Sequence, residues 1–379
     1  MLGKRLIQLA LIFLLSFELQ AQAIEDSSYQ YYLNAKHDEQ IELGKSALNE
    51  GIDYYYLRYR LGVAYMGKRN FRKAIQQFDK ALKMNSGSYE AKSMIRDCAL
   101  AAGMEKLELY SRPFTGSKTG FMQQVYLESG MKQSSFTDTI GNPVFGQLGL
   151  QVALGPFVSL FAGYALAYQN NLTLNFRQHQ LYSHLTVKPG IAWQISAFGS
   201  GMVANVALNQ SDSVFNEFSG LAGLSIQKSS GNWEWSLSAG FGNLNKLRQI
   251  QGGLTLTWYP LGNDLFNLRC MNHLQVQNES LTPIICPSTT VKLFKNCWLK
   301  AEYLRANSTN VWEQDGYILN NNPDLTIDKS TLLVTYKYAF YHDIYIVSQL
   351  EQKEALIEGT TTRPYTFSNL IVGYAYRIH

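Results

Sequence analysis

Charged residues are scarce in this 379-residue chain, where Asp, Glu, Lys and Arg together make up 16%, against roughly a quarter in ordinary soluble domains. The formal net charge is only +4, and the absence of a dense basic stretch argues against nucleic-acid binding. Beyond the first residues there is no apolar run of the ~20 residues that a membrane-spanning helix needs. Mean hydropathy is accordingly low, at -0.16, which excludes a helical membrane protein.

Cysteine is also rare, and Cys98, Cys270, Cys286 and Cys297 show no metal-ligand spacing. The chain has no phosphate-cradling glycine loop either, so we predict neither a metal nor a cofactor. A disulfide between Cys270 and Cys286 is permitted outside the cytoplasm if the two lie on adjacent strands. We interpret all four cysteines as small apolar side chains.

What the chain does contain, at its start, is the pattern of an export signal. Lys4 and Arg5 precede an apolar stretch from Leu6 to Leu15, and Ala21-Gln22-Ala23 has the small-x-small form of a cleavage site. The pattern predicts a signal peptide over residues 1–23, in place of an uncleaved anchor helix. The mature protein is therefore expected outside the cytoplasm.

Residues 24–103 have helical periodicity and contain one match to the tetratricopeptide pattern L-G-x2-Y…A-x3-F-x2-A. We expect Gly62 to let two helices approach closely, with Tyr65 and Phe78 filling the space between them. Arg58 replaces the tryptophan of the pattern. The match predicts a tetratricopeptide-like domain, followed by a linker at 104–118. The repeat-defining residues are Leu61, Gly62, Tyr65, Ala74, Phe78 and Ala81.

Repeats of this kind usually bind a peptide or a protein surface in a concave groove. Tyr56, Tyr59, Val63 and Met66 have the spacing to line such a groove, and the expected partner is a periplasmic protein or peptide. The alternative is that Val63 and Met66 simply belong to the helical core.

From residue 119 to 379 the period changes from 3.6 to 2. Residues 157–168, 232–241 and 331–340 show it best, with an apolar face that carries no charge. A Lys or Arg on the lipid face at mid-bilayer costs ~2–4 kcal/mol. We predict an α + β protein of two domains, whose second domain is an antiparallel transmembrane β-barrel of about fourteen strands, within a range of twelve to sixteen. The alternation slips near Gln178 and Gly199-Ser200-Gly201, where we expect β-bulges.

The connections and the end of the chain support a membrane barrel. Three polar gaps, at 130–143, 308–327 and 356–363, are long enough to be external loops, whereas gaps such as Gly155-Pro156 are tight enough for periplasmic turns. Gly373, Tyr376 and Ile378 fit the pattern that the barrel-assembly machinery reads in a last strand. The predicted location is the outer membrane, among its lipids, with the repeats in the periplasm. A soluble all-β domain is the alternative.

Opposite the apolar faces, the predicted lumen is mostly small and polar, with a few titratable groups. These groups would line a passage, or would pair with one another in a filled lumen, and we favour the filled lumen. The predicted lumen-lining residues are Glu234, Arg269, His273, Lys300, Glu302, Lys337 and Arg377.

Catalytic constellations are weak. Ser183 and His184 are adjacent on a strand and must point to opposite faces, His179 has no acid nearby in sequence, and the stretch with Asp315 and Asp324 contains no histidine. We predict that the protein is not an enzyme, and an outer-membrane lipid- or peptide-modifying enzyme is the weakest alternative.

The chain resembles the YaiO-like outer-membrane proteins, which join a signal peptide, tetratricopeptide repeats and a barrel. The resemblance rests on the repeat, on the turn 259–263 (YPLGN), on the hairpin 294–299 (FKNCWL) and on the loop 316–324 (GYILNNNPD). It implies an outer-membrane location and no settled activity. In organisation alone the chain is similar to exporters of cellulose and of poly-N-acetylglucosamine, whose repeat arrays are longer.

Two functions follow from these observations. In the first, the protein is a structural, assembly or scaffold component of the envelope, in which the repeats bind a partner and the barrel is an anchor. In the second, the barrel is a transport or export channel for a solute or an exopolysaccharide, guided by the repeats. The first is our leading interpretation.

Overall fold

The computed structural model consists of two compact units, a helical unit and a β-barrel. Most of the predicted signal peptide and of the predicted linker lies outside the described residues. The described residues are 20–102, 104, 121–136, 140–155, 157–208, 214–313, 318–319, 324–338, 341–357 and 361–378.

The helical unit contains five helices joined by short connections, and consecutive helices from α2 onward pack on one another. None of the helices in the described ranges combines the length and the apolar character needed to cross a membrane. The helices are α1 (20–33), α2 (His37–Asn49), α3 (Tyr55–Gly67), α4 (Phe71–Met84) and α5 (Tyr89–Ala102).

Close contact between α3 and α4 is built on small residues facing a large one. A Cβ added at Gly62 would lie 2.6 Å from the ring of Phe78, so the two helices approach where glycine allows it. Ala74, Phe78 and Ala81 are fully buried at this contact, and Leu61 nearly so. These apolar side chains supply most of the stability of a unit this small.

Arg58, which stands where the repeat pattern has tryptophan, is buried and makes polar contacts in place of a ring. Its guanidinium donates to both carboxylate oxygens of Asp53, at 2.7 and 2.5 Å, and to Oε1 of Gln77 at 2.8 Å. The bond to Gln77 joins α3 to α4. A large apolar residue is thus replaced by a charged one whose donors are satisfied.

The second unit is a closed antiparallel barrel of fourteen strands, as the sequence predicts. Each strand pairs with its neighbours in chain order, and β1 closes the barrel against β16; β12 and β13 form a separate small hairpin within the connection from β11 to β14. The strands are β1 (Met122–Ser134), β2 (Val144–Gly155), β3 (Val158–Asn170), β4 (Leu174–Val187), β5 (Trp193–Leu208), β6 (Val214–Ser230), β7 (Trp233–Leu244), β8 (Leu247–Trp258), β9 (Phe266–Gln277), β10 (Ser280–Phe294), β11 (Cys297–Ser308), β12 (Trp312–Glu313), β13 (Ile318–Leu319), β14 (Leu325–Tyr338), β15 (His342–Ile357) and β16 (Thr361–Arg377).

The two ends of the barrel differ. One end, the turn end, holds the start of β1, the end of β16 and short connections such as 231–232 and 295–296. The other, the loop end, holds the longest connections, at 135–143 and 309–324, together with two-residue turns at 245–246 and 278–279. The connections are therefore mostly short at one end of the barrel and include long ones at the other, as is typical of outer-membrane barrels.

Alternate residues of every strand point outward, and this outward set is mostly apolar. On β7 it runs from Trp233 through Leu237 to Phe241, all well exposed. On β8 it includes Trp258 and Ile250. Eight residues of strand at about 3.3 Å per residue, tilted by about 40°, give an apolar belt roughly 20 Å high.

The predicted bulges in β4 and β5 are wrong. β4 pairs with β3 and β5 without a register shift through Gln178, and β5 pairs with β6 without a shift through 199–201. What changes along these strands is the chemistry of each face. Arg177 points outward near the loop end, and Phe198 and Met202 point inward into an apolar cluster. The side chains therefore alternate regularly between the two faces, but at these positions the outward residue is charged and the inward residues are apolar.

Candidate functional site

The predicted lumen set lies on the inward face of the barrel wall. All seven predicted lumen residues share the inward face with buried neighbours of the same strand. Arg269 is exposed although it points inward, which indicates a wide lumen near the turn end. His273 is buried instead, 3.2 Å from Nε2 of Gln251 and 3.5 Å from Oγ of Ser238.

Most of the other charges near the turn end have partners. Nζ of Lys300 donates to Oε2 of Glu302 at 2.6 Å, and Arg377 donates to Asp343. Nζ of Lys337 lies 4.8 Å from the ring centre of Trp298, a cation–π contact. The structure therefore brings two of the predicted residues together as an ion pair, and the rest are spread around the wall.

A second charged cluster, nearer the loop end, was not predicted from sequence. Lys353 is 1% exposed and Glu351 3%; their charged groups lie 3.3 Å apart, and Nζ of Lys132 is 3.7 Å from the same carboxylate. Nζ of Lys353 also donates to Oγ1 of Thr326 at 3.1 Å. Charges at 351, 353 and 354 fall on both faces of β15, so alternation alone did not isolate the inward pair.

The connection after β11 enters the lumen. It was predicted to be an external loop over 308–327, but Asn310 is 0% and Trp312 4% exposed. We call residues 309–312 the lumen segment. The correction has a physical cause: the segment is short, uncharged and rich in groups that the wall can hydrogen-bond, so burial leaves few polar groups unsatisfied.

Three glutamines of the wall hold the main chain of the lumen segment. Nε2 of Gln275 donates to the carbonyl of Thr309 at 3.0 Å, and Nε2 of Gln249 to that of Asn310 at 3.1 Å. Nε2 of Gln251 donates to the carbonyl of Trp312 at 2.9 Å. The segment is thus fastened to β8 and β9 along one side of the lumen.

Side chains of the lumen segment anchor it in two further directions. The ring of Trp312 lies 6.4 Å from that of Phe198, in an apolar cluster with Tyr182, Met202, Leu221 and Leu244. Val311 packs in a different cluster, formed by β10 and β11. The segment therefore reaches from one wall of the lumen to another and narrows the passage between them.

Asn310 and Gly240 make this placement possible. Oδ1 of Asn310 accepts from Nδ2 of Asn245 at 2.6 Å, and its own Nδ2 donates to the carbonyl of Leu244 at 3.3 Å. A Cβ at Gly240 would lie 2.9 Å from Cη2 of Trp312, so only glycine leaves room for the indole.

In the helical unit the predicted groove residues lie on an aromatic surface. Tyr56 is 58% exposed, and Tyr59, Val63 and Met66 are half-buried. The ring of Tyr59 stacks with that of Tyr55 at 6.1 Å, and burial, followed by nearby tyrosines, raises its pKa to about 12. The hydroxyl of Tyr59 therefore stays protonated at neutral pH.

Arg60 joins α1 to α3 beside this surface. Its guanidinium donates to Oε1 of Glu25 at 2.8 Å and lies 5.1 Å from the ring centre of Tyr29 and 5.6 Å from that of Tyr56. Burial would raise the pKa of Glu25, but the hydrogen bond and the positive charge of Arg60 more than offset this and hold the pKa below its usual value.

The residues of the C-terminal pattern take different faces of β16. Gly373 points inward, where any Cβ would collide with the ring of Tyr345. Tyr376 points outward, and the backbone N–H of Ile378 donates to the carbonyl of Gln123 at 2.9 Å. Packing in the lumen therefore requires glycine at position 373, independently of any recognition of the last strand by the assembly machinery.

No catalytic constellation forms among the residues considered from sequence. Ser183 and His184 lie on opposite faces, and Nδ1 of His179 is 2.6 Å from the hydroxyl of Tyr164. Asp315 lies outside the described residues. Within the described ranges, no group of three or more His, Cys, Asp and Glu side chains is placed to hold a metal ion. Cys270 and Cys286 form no disulfide and point to opposite faces.

Comparison with known proteins yields a fold and no family. No protein-family model and no curated protein matches the chain. Among solved structures, the translocator domain of the autotransporter NalP from Neisseria meningitidis is 10% identical, with 74% of this chain and 98% of that one covered and a TM-score of 0.34. The Pseudomonas putida toluene transporter TodX is also 10% identical, over 71% and 92% of the two chains, with a TM-score of 0.46. A bacterial polysaccharide outer membrane secretin is 9% identical, over 69% and 100%, with a TM-score of 0.39. All three are likenesses of fold alone.

Proposed function

We propose that the protein is an outer-membrane channel whose lumen is narrowed by the lumen segment. The apolar outward belt supports membrane insertion, because a surface of this kind aggregates in water and is stabilised by lipid. Fourteen strands enclose more space than wall side chains fill, since barrels of about eight strands are filled and those of 16–18 leave an aqueous channel. This favours the channel over the anchor that we preferred from sequence.

The observation that carries the proposal is how the lumen is occupied. A packed plug would bury the inward charges, yet Arg269 stays exposed near the turn end. The lumen segment is fastened by three side-chain amides to the wall, which is the arrangement of a constriction. Charges of both signs line the wider part, so we expect passage of small solutes with weak charge selectivity.

The test is single-channel conductance of the full chain in a planar bilayer. Replacing Gln249 and Gln251 together by alanine removes two of the three bonds to the segment, and we expect the conductance or the open fraction to rise at least about twofold. The matched control is Gln147→Ala, which removes an inward glutamine that instead donates to Glu128 at 2.7 Å. A barrel that inserts but stays silent in all three forms would contradict a channel.

The scaffold function remains as a second candidate, and the tyrosine surface of α1 and α3 favours it. Tyrosine and arginine are the residue types enriched in binding hot spots. We propose that a periplasmic protein or peptide docks on this surface. We also propose that the helices are tetratricopeptide-like and that the chain is related to the YaiO-like proteins. A photo-crosslinking residue at position 56, compared with one at exposed position 42, tests the docking: equal yields at both positions would contradict it.

A further inference from the structure

The outward face of the barrel has a groove at the loop end, between β6 and β9. The turns after β7 and β9 are only two residues long, with positive φ at both Asn245 and Lys246 and at both Asn278 and Glu279. β6 begins at Val214, near the loop end, and pairs with β7 only from Gly220 onward. Its first residues therefore extend past the end of β7 towards the loop end. The short hairpins beside the longer strand leave a recess of about 620 Å³.

Small residues make the floor of the groove and large ones its sides. The floor includes Gly220 and Ala222 of β6. Phe218 and Phe241 stand on either side, 70% and 68% exposed. These exposed rings and the small residues between them give the groove apolar sides and an apolar floor. Also lining the groove are Asn243, Arg248, Ile250, Val276 and Asn278.

Strand register places a sharp boundary of polarity across the groove. Phe241 is opposite Ile250, and Ile250 is opposite Val276, so an apolar row crosses three strands. One step closer to the loop end, Asn243 is opposite Arg248. The charge therefore lies at the upper edge of the apolar belt, at the depth where lipid headgroups meet acyl chains.

Arg248 is available for a ligand. It is exposed, and no hydrogen-bond or ion-pair partner of it is present in the part of the chain that the structure describes. Lys246 in the adjoining turn adds a second exposed cation, and Glu279 in the next turn is the nearby carboxylate. A guanidinium matches phosphate with two parallel hydrogen bonds, and the amides of Asn243 and Asn278 can donate beside it.

We propose that this groove binds a phosphorylated membrane lipid, with its phosphate on Arg248 and an acyl chain along Phe241, Ile250 and Val276. The proposal rests on the membrane insertion proposed above and not on the barrel's being a channel. Free phosphate would satisfy Arg248 but leave the apolar row uncovered, so a lipid fits the whole surface better.

The experiment titrates the full chain in detergent micelles with lipid A, which carries two phosphates, and with its dephosphorylated form. Native mass spectrometry measures bound lipid. We expect Arg248→Gln to weaken binding of the phosphorylated lipid about tenfold and to leave the other unchanged. The matched control is Arg305→Gln, since Arg305 is also outward and exposed but lies 3.8 Å from Asp328.

A second variant tests the acyl slot. Ala222 lies at the floor of the groove and is opposite Phe241 in the apolar row, so Ala222→Leu fills the slot at the level of the acyl chain. It should weaken binding of both lipids.

Equal losses in Arg248→Gln and Arg305→Gln, or equal affinity of the unaltered chain for both lipids, would overturn the site. Displacement of bound lipid A by inorganic phosphate alone would contradict a lipid as the ligand and would indicate a simple anion site. Failure of the unaltered chain to form a heat-modifiable band on a gel would instead contradict membrane insertion. This gel assay therefore distinguishes a failure of the proposed insertion from a failure of the lipid site.

Discussion

At the scale of single residues, Gly62 tests what the helical unit depends on. Replacing it with alanine gains about 1 kcal/mol of helix propensity, but the new Cβ would lie 2.6 Å from the ring of Phe78, which is fully buried and cannot move aside. Overpacking of this kind costs about 1–3 kcal/mol. We expect a net loss of about 1 kcal/mol in the unfolding free energy, measured as the urea dependence of helical circular dichroism of the full chain in micelles.

The control for this substitution is Gly87→Ala, where a Cβ meets only Oδ1 of Asn85, at 3.5 Å. It should leave the urea midpoint unchanged or slightly higher. If both variants unfold at the same urea concentration, the contact of α3 with α4 does not limit the stability of the unit.

Glu25 gives the helical unit a dependence on pH. Because its pKa is lower in the folded chain than its usual value, its contribution is present in full above the usual value and is lost as the pH falls through the folded one. The unit should therefore lose stability as the pH falls through and below the usual titration range of a glutamate carboxyl. Glu25→Gln should be less stable at pH 6 and should lose less on acidification, whereas the exposed control Glu42→Gln should follow the unaltered chain.

At the scale of elements, the turn between β9 and β10 carries conformational strain. Asn278 and Glu279 both have positive φ, at 48° and 65°, and a non-glycine residue costs about 1 kcal/mol there. Glu279→Gly would create the Asn-Gly pair preferred in such two-residue turns. We expect faster refolding into micelles and a higher thermal midpoint, and Glu279→Ala should change neither in that direction.

The elements also show what the sequence can and cannot predict. The barrel and its number of strands were predicted, because alternation is imposed by a two-sided wall. The lumen segment was not predicted, since burial of Asn310 and Trp312 depends on glutamines and aromatics from distant strands. The same dependence explains the missed pair of Lys353 and Glu351. Local pattern encodes the wall, while the contents of the lumen are set by tertiary contacts.

At the scale of the whole molecule, the seam between β1 and β16 holds the barrel closed. The two strands pair from Gln124 opposite Arg377 to Ser134 opposite Phe367. Removing residues 361–379 would leave unpaired edges on β1 and β15, which a bilayer does not tolerate. We expect the truncated chain to lose the compact, fast-migrating band of unheated gels, and a chain lacking only His379 to keep it. A compact band in both would mean that β15 can close on β1.

The lumen segment is held chiefly by its main chain, since Gln249, Gln251 and Gln275 all donate to backbone carbonyls. How far the segment projects across the lumen is therefore determined mainly by the three glutamines of the wall, and only partly by the sequence of the segment itself. Backbone carbonyls are common to every residue, so in diverging relatives we expect the three glutamines to be kept even where the side chains of the segment change. An alignment of such relatives would show this asymmetry, in which the sequence of the segment drifts while the proposed permeability is inherited.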